Sequence, residues 1–227
     1  MQFSNSNKNK NENEMFDLME KELNTAVICD ILDDFGYRKQ IMDSAIRPLD
    51  FDYVVAGRAM TILTADVYTQ PDKPYETEIE AVDSIKPNEI VVAATNLSST
   101  SAFWGELLST AAIARGSRGA IIYGGTRDLK KIKAMGFKIF TSVINPLDSK
   151  GRAIVIDYGC PIDCGGVILH PGDIVFADCD GIAVIPKDIE DRVIAASLEK
   201  ITKERHSLEM LKSGALLKDV FDKFGVL

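Results

Sequence analysis

The chain has 227 residues, 46% of them apolar and 26% charged, with a formal net charge of −8. That length is enough to bury a sizeable core in one domain. The acidic balance repels phosphate backbones and anionic lipid, so neither nucleic acid nor a membrane surface is expected as a partner, and no window approaches the roughly 18 apolar residues a membrane helix needs.

The opening stretch MQFSNSNKNKNENE has little to bury. Residues 1–13 are therefore expected to form a solvated, disordered tail. The stretch lacks an apolar h-region, so it is not read as a secretory signal, and a cytoplasmic location is expected. Cys29, Cys160, Cys164 and Cys179 are read as ordinary thiols of a reducing compartment. The C-x3-C pair at 160 and 164 has no second pair or nearby histidines to complete a zinc site.

Residues 14–24 read as a short helix. Thr25 is a plausible N-cap for AVICDILDDFG, whose Val27, Ile28, Ile31, Leu32 and Phe35 share one helical face and whose Gly36 ends it. YVVAGRAMTILTA, residues 53–65, is rich in β-formers and predicts a strand pair or one long bent strand. A helix is expected over 75–85, then a strand at IVVAAT (90–95). The Ser/Thr-rich NLSSTSAFW leads into the helix GELLSTAAIARG. AIIY (120–123) predicts a buried strand, GGTRD a turn, DLKKIKAMG a helix stopped at Gly136, and FKIFTSV (137–143) another strand.

From about 152 to 186 the pattern is mostly β, with turns at Pro171-Gly172-Asp173 and Asp178-Cys179-Asp180-Gly181. An amphipathic helix is expected over 188–212, followed by a short one from Gly214. Helices alternate with strands early and strands cluster late. The expected class is a layered α/β domain with a mixed sheet over 14–187, carrying a C-terminal helical extension over 188–227. Neither GxGxxG nor GxxxxGK[ST] is present, which argues against a nucleotide fold.

The feature that could carry chemistry is Glu106, then twenty residues, then Arg127-Asp128. The pair Arg127-Asp128 falls where a strand ends and a helix begins, a place where ligands collect in α/β sheets. Asp128 offers a hard oxygen ligand suited to Mg²⁺ or Mn²⁺. Arg127 offers a planar fork of donors for a carboxylate or carbonyl. The first-turn amides of GELLS suit an anion. The same residues also fit plainer roles: Asp128 as a helix cap, Arg127 as a surface arginine, Glu106 as a dipole partner.

Four segments, in order, resemble the RraA-like family, which includes the 4-hydroxy-4-methyl-2-oxoglutarate aldolases. They are TAVICDILDDFG, VAGRAMTI, WGELLSTAAIARGSRGAIIYGGTRDLKKIKAMGFKIF and GGVILHPGDIVFADCDGIAVIP, and the resemblance spans about 24 to 188. It implies a swivelling β/β/α-type fold and ring-like homotrimers or hexamers. It also implies a divalent-metal-dependent class II aldolase that cleaves 4-hydroxy-2-oxo acids to pyruvate and decarboxylates oxaloacetate.

In that family's pattern Arg127 is the substrate-binding and catalytic arginine and Asp128 the ligand of Mg²⁺ or Mn²⁺. Glu106 takes the acidic position that orients a water for proton transfer, and Gly105, Glu106, Leu107 and Leu108 supply substrate-binding amides. Lys130 and Lys131 are read as solvated helix charges, and Trp104 as packing. Tyr123 stands where the family usually has Asp, a departure expected to retune the site. Glu199, Glu204 and Glu209 are candidates for a carboxylate lent by a neighbouring subunit. The alternative is a non-catalytic regulator that binds a ribonuclease or another protein, as some family members do.

Overall fold

The structure is a computed structural model that describes residues 2–95, 98 and 100–225, so the approach NLSSTSAFW is described only in part. Its elements run α1 (Gln2–Glu22), α2 (Thr25–Asp34), β1 (Arg47–Pro48), β2 (Val55–Asp66), α3 (Glu76–Asp83), β3 (Glu89–Ala94) and β4 (Ala102–Trp104). They continue with α4 (Glu106–Ala114), β5 (Gly119–Thr126), α5 (Leu129–Ala134), β6 (Lys138–Ile144), β7 (Ala153–Tyr158), β8 (Ile162–Cys164) and β9 (Val167–Leu169). Last come β10 (Ile174–Ala177), β11 (Ile182–Ile185), α6 (Glu190–Lys212) and α7 (Leu217–Phe224).

The fold is the expected α/β layered domain with a mixed sheet. Strands run β1-β6-β5-β3-β2-β10-β11, with β4 beside β5 and β7 beside β2. The β2, β3, β5 and β6 pairings are parallel, as is β4 with β5, while β1, β7, β10 and β11 pair antiparallel. The long bent strand expected at 53–65 is β2, and its register shifts between Leu63 and Thr64 where β7 joins it.

Alternation along the strands sorts side chains onto two faces. Ile90, Val92, Ala94 and Ile121 pack under the β8–β9 hairpin through Ile162, Cys164, Val167 and Leu169. Val91, Ala93, Ala120 and Ile122 point the other way, toward Ala81, Val82, Ala112 and Ile132 of α3, α4 and α5. A third apolar cluster joins α1, α2 and α6 to β2, β10 and β11. Val193 and Ile194 of α6 are buried in it, so α6 shares a core with the N-terminal helices.

Two local expectations are corrected. The N-cap of α2 is Asn24, whose side chain accepts from the Val27 amide, while the Thr25 amide donates to Asp178 Oδ2 at 2.8 Å. Asp178 thereby holds the DCDG turn against the start of α2. Secondly, the first helix begins at Gln2 rather than near residue 14, so most of the stretch expected as a disordered tail is helical. Its physical basis lies in the docked turns. Phe16 and Met19 are fully buried, and Phe16 lies between the Arg58 and Arg118 guanidiniums, 5.8 and 5.7 Å from its ring centre. Glu20 receives Arg118 at 2.8 Å and Lys138 at 2.6 Å, and Glu12 receives Arg58 at 2.8 Å. Once those turns are nucleated, no Gly or Pro in 2–22 stops the helix propagating toward the N-terminus.

Candidate functional site

β5 ends at Thr126, and the two residues that follow set the geometry. The Arg127 amide donates to Trp104 O at 2.9 Å, which anchors the strand end to β4. Asp128 then adopts a left-handed conformation, φ 61° and ψ 26°. Non-glycine residues enter that region at a cost, and such strain clusters at functional sites. Asp128 stands at the N-cap position of α5, yet its side chain makes no capping bond there. Its Oδ2 instead accepts from the Glu106 amide at 3.2 Å, at the start of α4. The plain helix-cap role considered for Asp128 is thus not the one it plays: it begins one helix and caps another.

Close approach at Gly105 makes this possible. A Cβ there would sit 3.0 Å from Asp128 Oδ2 and 3.2 Å from Arg127 Cγ. Since Asp128 engages the Glu106 amide, the open donors of the α4 first turn are those of Leu107 and Leu108, which have no acceptor within the helix. Trp104 forms the floor. It is 1% exposed, stacks on Phe137 at 6.5 Å, and donates from Nε1 to Ser109 Oγ at 2.8 Å.

Arg127, Asp128, Gly105, Glu106, Leu107 and Leu108, separated by up to twenty-odd positions in sequence, all line one cleft of about 460 Å³. The volume suits a small organic ligand. A cavity of about 530 Å³ between α2, α6 and α7 is larger, but its lining is mainly apolar and includes none of these residues. Glu106 lies at the mouth, where its Oε2 meets Lys131 Nζ at 2.5 Å. Lys131 is therefore not a free solvated charge, though it remains 63% exposed at the side chain.

Among the lining residues not singled out from sequence, Tyr75, Glu78 and Asp148 carry titratable groups. Ala102 donates to Leu147 O at 2.7 Å, which lays the loop after β6 along β4 and brings Asp148 into the cleft. Asp148 Oδ1 stands 3.3 Å from an Arg127 nitrogen, and Tyr75 donates to Asp148 Oδ2 at 2.5 Å. Arg127 is thus held between Asp148 and Asp128, the latter 3.8 Å from its Nε. Glu78 sits on the buried face of α3 beside Ala81 and Val82. A carboxylate on the apolar face of a predicted helix is the signal that would have found it. Asp148 has no comparable signal, because a loop brings it in.

Burial, with the Asp148 charge nearby, pushes the Glu78 carboxyl from its ordinary 4.5 up to about 7, against the opposing pull of Arg127. The folded chain then keeps this proton after the unfolded chain has lost it. Stability linked to Glu78 is full below pH 4.5 and declines as pH rises to about 7. At about 1.4 kcal/mol per pKa unit the decline is about 3 kcal/mol. Glu78→Gln is expected to remove that decline, and urea unfolding at pH 4.5 and pH 8 checks it. A slope unchanged from the wild type would show that Glu78 titrates normally.

Tyr123, expected to retune the site, is not in the cleft. Residues alternate along β5, so Tyr123 shares the face of Ile121 and packs toward the hairpin side, where its hydroxyl donates to Asp43 Oδ2 at 3.0 Å. Glu199, Glu204 and Glu209 lie on α6 and do not line the cleft of their own chain.

The donor chemistry suits a hydrated cation better than a caged one. Among the described residues no three His, Cys, Asp or Glu side chains gather to hold a metal. Asp128 presents its carboxylate beside the first turn of α4, where Oδ2 accepts from the Glu106 amide. Mg²⁺ keeps several waters and commonly takes one or two carboxylates plus the substrate, so a single Asp fits it. The four cysteines are free thiols, and burial raises Cys164 to about 12 and Cys29 to about 11, which keeps both unreactive. Among the described residues no helix is long and apolar enough to cross a membrane.

Protein DlpA of Legionella pneumophila is 28% identical over 186 residues, covering 80% of this chain but only 29% of its own length. A Halalkalibacterium halodurans protein provisionally named a 4-hydroxy-4-methyl-2-oxoglutarate aldolase is 29% identical, covering 79% of this chain and 80% of its own. In fold, the chain superposes on RraAS2 of Streptomyces coelicolor, described as an unusual member of the RNase ES inhibitor RraA family. The TM-score is 0.76 at 22% identity, over 86% of this chain and 95% of that one. The family thus holds both provisionally named aldolases and regulators. A family model described as RraA-like, Aldolase/RraA, matches residues 25–184, and the chain belongs to that family.

Proposed function

We propose that the chain is a divalent-metal-dependent lyase that cleaves small 4-hydroxy-2-oxo acids to pyruvate and decarboxylates oxaloacetate. The observation that carries this reading is the shared cleft. Arg127, the strained Asp128 and the first turn of α4 converge on it, with Glu106 at its mouth. The provisionally named aldolase among the relatives supports the same chemistry.

Both reactions pass through the enolate of pyruvate, so one site serves both. Arg127, fixed between two carboxylates, presents its remaining donors to the substrate carboxylate and the keto oxygen. The Leu107 and Leu108 amides add partial positive charge at the rim. Asp128 would hold the cation, Mg²⁺ or Mn²⁺, which when bound would supply Lewis-acid stabilisation of developing negative charge on oxygen. Glu106, exposed at the mouth and paired with Lys131, orients water there. The floor of Phe103 and Trp104 excludes water from below. Assembly as a homotrimer or hexamer belongs to the same proposal.

The test is pyruvate release from 4-hydroxy-4-methyl-2-oxoglutarate and from oxaloacetate, with Mg²⁺ and with EDTA. Release from both is expected with metal, with loss of nearly all of it in EDTA. If both substrates stay intact with Mg²⁺ and with Mn²⁺, the enzyme reading is wrong. The regulator alternative then gains ground, and it predicts ribonuclease binding that survives substitution of Arg127.

A further inference from the structure

Resting on that reading, we propose that Glu78 is the group that carries the proton to and from C3 of the substrate, the carbon that becomes the pyruvate methyl. The placement of Glu78 argues for it. The residue is 9% exposed yet lines the cleft, and among the described residues its carboxylate makes no hydrogen bond or ion pair. A buried carboxyl with no hydrogen bond, offset only by the Arg127 charge beyond ion-pair distance, is costly, and perturbed groups of that kind cluster at functional sites.

Its surroundings suit the task. The charged and titratable groups around it are Tyr75 of its own segment, Asp148 of the loop after β6, and Arg127 and Asp128 after β5; Glu106 of α4 and Lys131 of α5 lie at the mouth. Tyr75 is committed to Asp148, and Asp148 to Tyr75 and Arg127. Glu106 is committed to Lys131 and faces solvent. Glu78 alone of these acids is both sheltered and uncommitted. Burial raises its carboxyl to about 7, so both of its forms are populated near neutrality, which is where a proton carrier works best.

The step balances with this one group. In cleavage of a 4-hydroxy-2-oxo acid, the Glu78 carboxylate takes the C4 hydroxyl proton as the C3–C4 bond breaks. The bonding pair moves to C3 and onto the keto oxygen, and C4 leaves as a carbonyl. The Glu78 carboxyl then returns the same proton to C3, giving pyruvate. In oxaloacetate decarboxylation the C3–C4 bond breaks with loss of CO₂. Glu78 starts protonated, gives its proton to C3, and regains one from the water at Glu106.

The experiment compares the full-length wild type with Glu78→Gln and Glu78→Asp in Mg²⁺. Two rates are read: exchange of the pyruvate methyl protons for deuterium in D₂O by NMR, and decarboxylation of oxaloacetate. Exchange needs proton transfer at C3, whereas decarboxylation needs chiefly enolate stabilisation. Glu78→Gln is expected to lose exchange by ~10²-fold or more. Decarboxylation should fall far less, because an enolate can be protonated by solvent, and its persistence also shows that the variant is folded. Glu78→Asp should recover part of the exchange. Exchange at the wild-type rate in Glu78→Gln, or loss of both rates in proportion, overturns the assignment. A wild type inactive in both assays with metal overturns the lyase reading itself, a result distinct from either of those.

Discussion

Asp128→Asn is expected to cut metal-dependent decarboxylation of oxaloacetate by about 10³-fold, since Lewis-acid stabilisation is worth several kcal/mol. Stability is expected to stay within about 1 kcal/mol of the wild type, because Asn fills both structural roles of Asp128. It tolerates the left-handed conformation at φ 61°. Its side-chain oxygen can still accept from the Glu106 amide, as Asp128 Oδ2 does at 3.2 Å. What Asn lacks is the charge that holds a cation. Asp128→Ala is a poorer probe, because it would also lose the cap, worth about 0.5–2 kcal/mol, and the preference for the left-handed region. Raising Mg²⁺ should not restore Asp128→Asn. Rates and thermal melts on one preparation decide the matter, and full activity in this variant would remove Asp128 as the ligand.

The second large effect is structural. A Cβ at Gly125 would lie 2.1 Å from Ser101 O and 3.0 Å from Ala102 Cα, both backbone atoms that cannot rotate aside. Gly125 is the residue of β5 that pairs with Ala102 of β4, so the clash falls on the strand that carries Phe103 and Trp104 into the cleft floor. Gly125→Ala is expected to cost about 3 kcal/mol or more, the upper range for overpacking. For a chain of this size that lowers the melting temperature by about 6–12 °C. Activity should fall as well, because β4 must move. Gly136→Ala is the control: its φ is +69° but nothing lies within 4 Å of the added Cβ, so only the modest left-handed penalty of about 1–2 kcal/mol applies. If Gly125→Ala melts no lower than Gly136→Ala, close β4–β5 contact does not limit stability.

Much of this architecture was legible in the residues. Hydrophobic period and turn residues gave β2, β3, β5, β6 and the helices between them, because those segments bury one face or both and their spacing records it. The first helix was misjudged because composition reports how little residues 1–13 can bury, not what the docked turn beside them nucleates. Phe16 and Met19 supply that nucleus, and the Glu12 and Glu20 pairings that hold it cross the fold to Arg58, Arg118 and Lys138. At the candidate site, Glu106 and Arg127-Asp128 were found by spacing and by family resemblance. Glu78 was detectable as a charge on an apolar helix face. Asp148 was not, since a loop brings it in through long-range contacts, the Ala102 bond to Leu147 O and the bridge between Ala102 and Asp148 among them, that no local pattern records. Tyr123 shows the limit of reading a departure by position: one residue along a strand is the opposite side of the sheet.

β2 has a consequence for how the chain is made. One of its edges meets β3 early, but the other is shared by β7 and β10, which arrive only with residues 153 to 177. During synthesis the strand Val55–Asp66 therefore waits with an open, apolar edge while the parallel half of the sheet assembles beside it. Open strand edges recruit other strands, and long-range pairings close slowly. Nascent chains stalled before Ile174 should thus be the most prone to aggregate and the most dependent on chaperones, with that burden easing as β10 emerges and closes the edge.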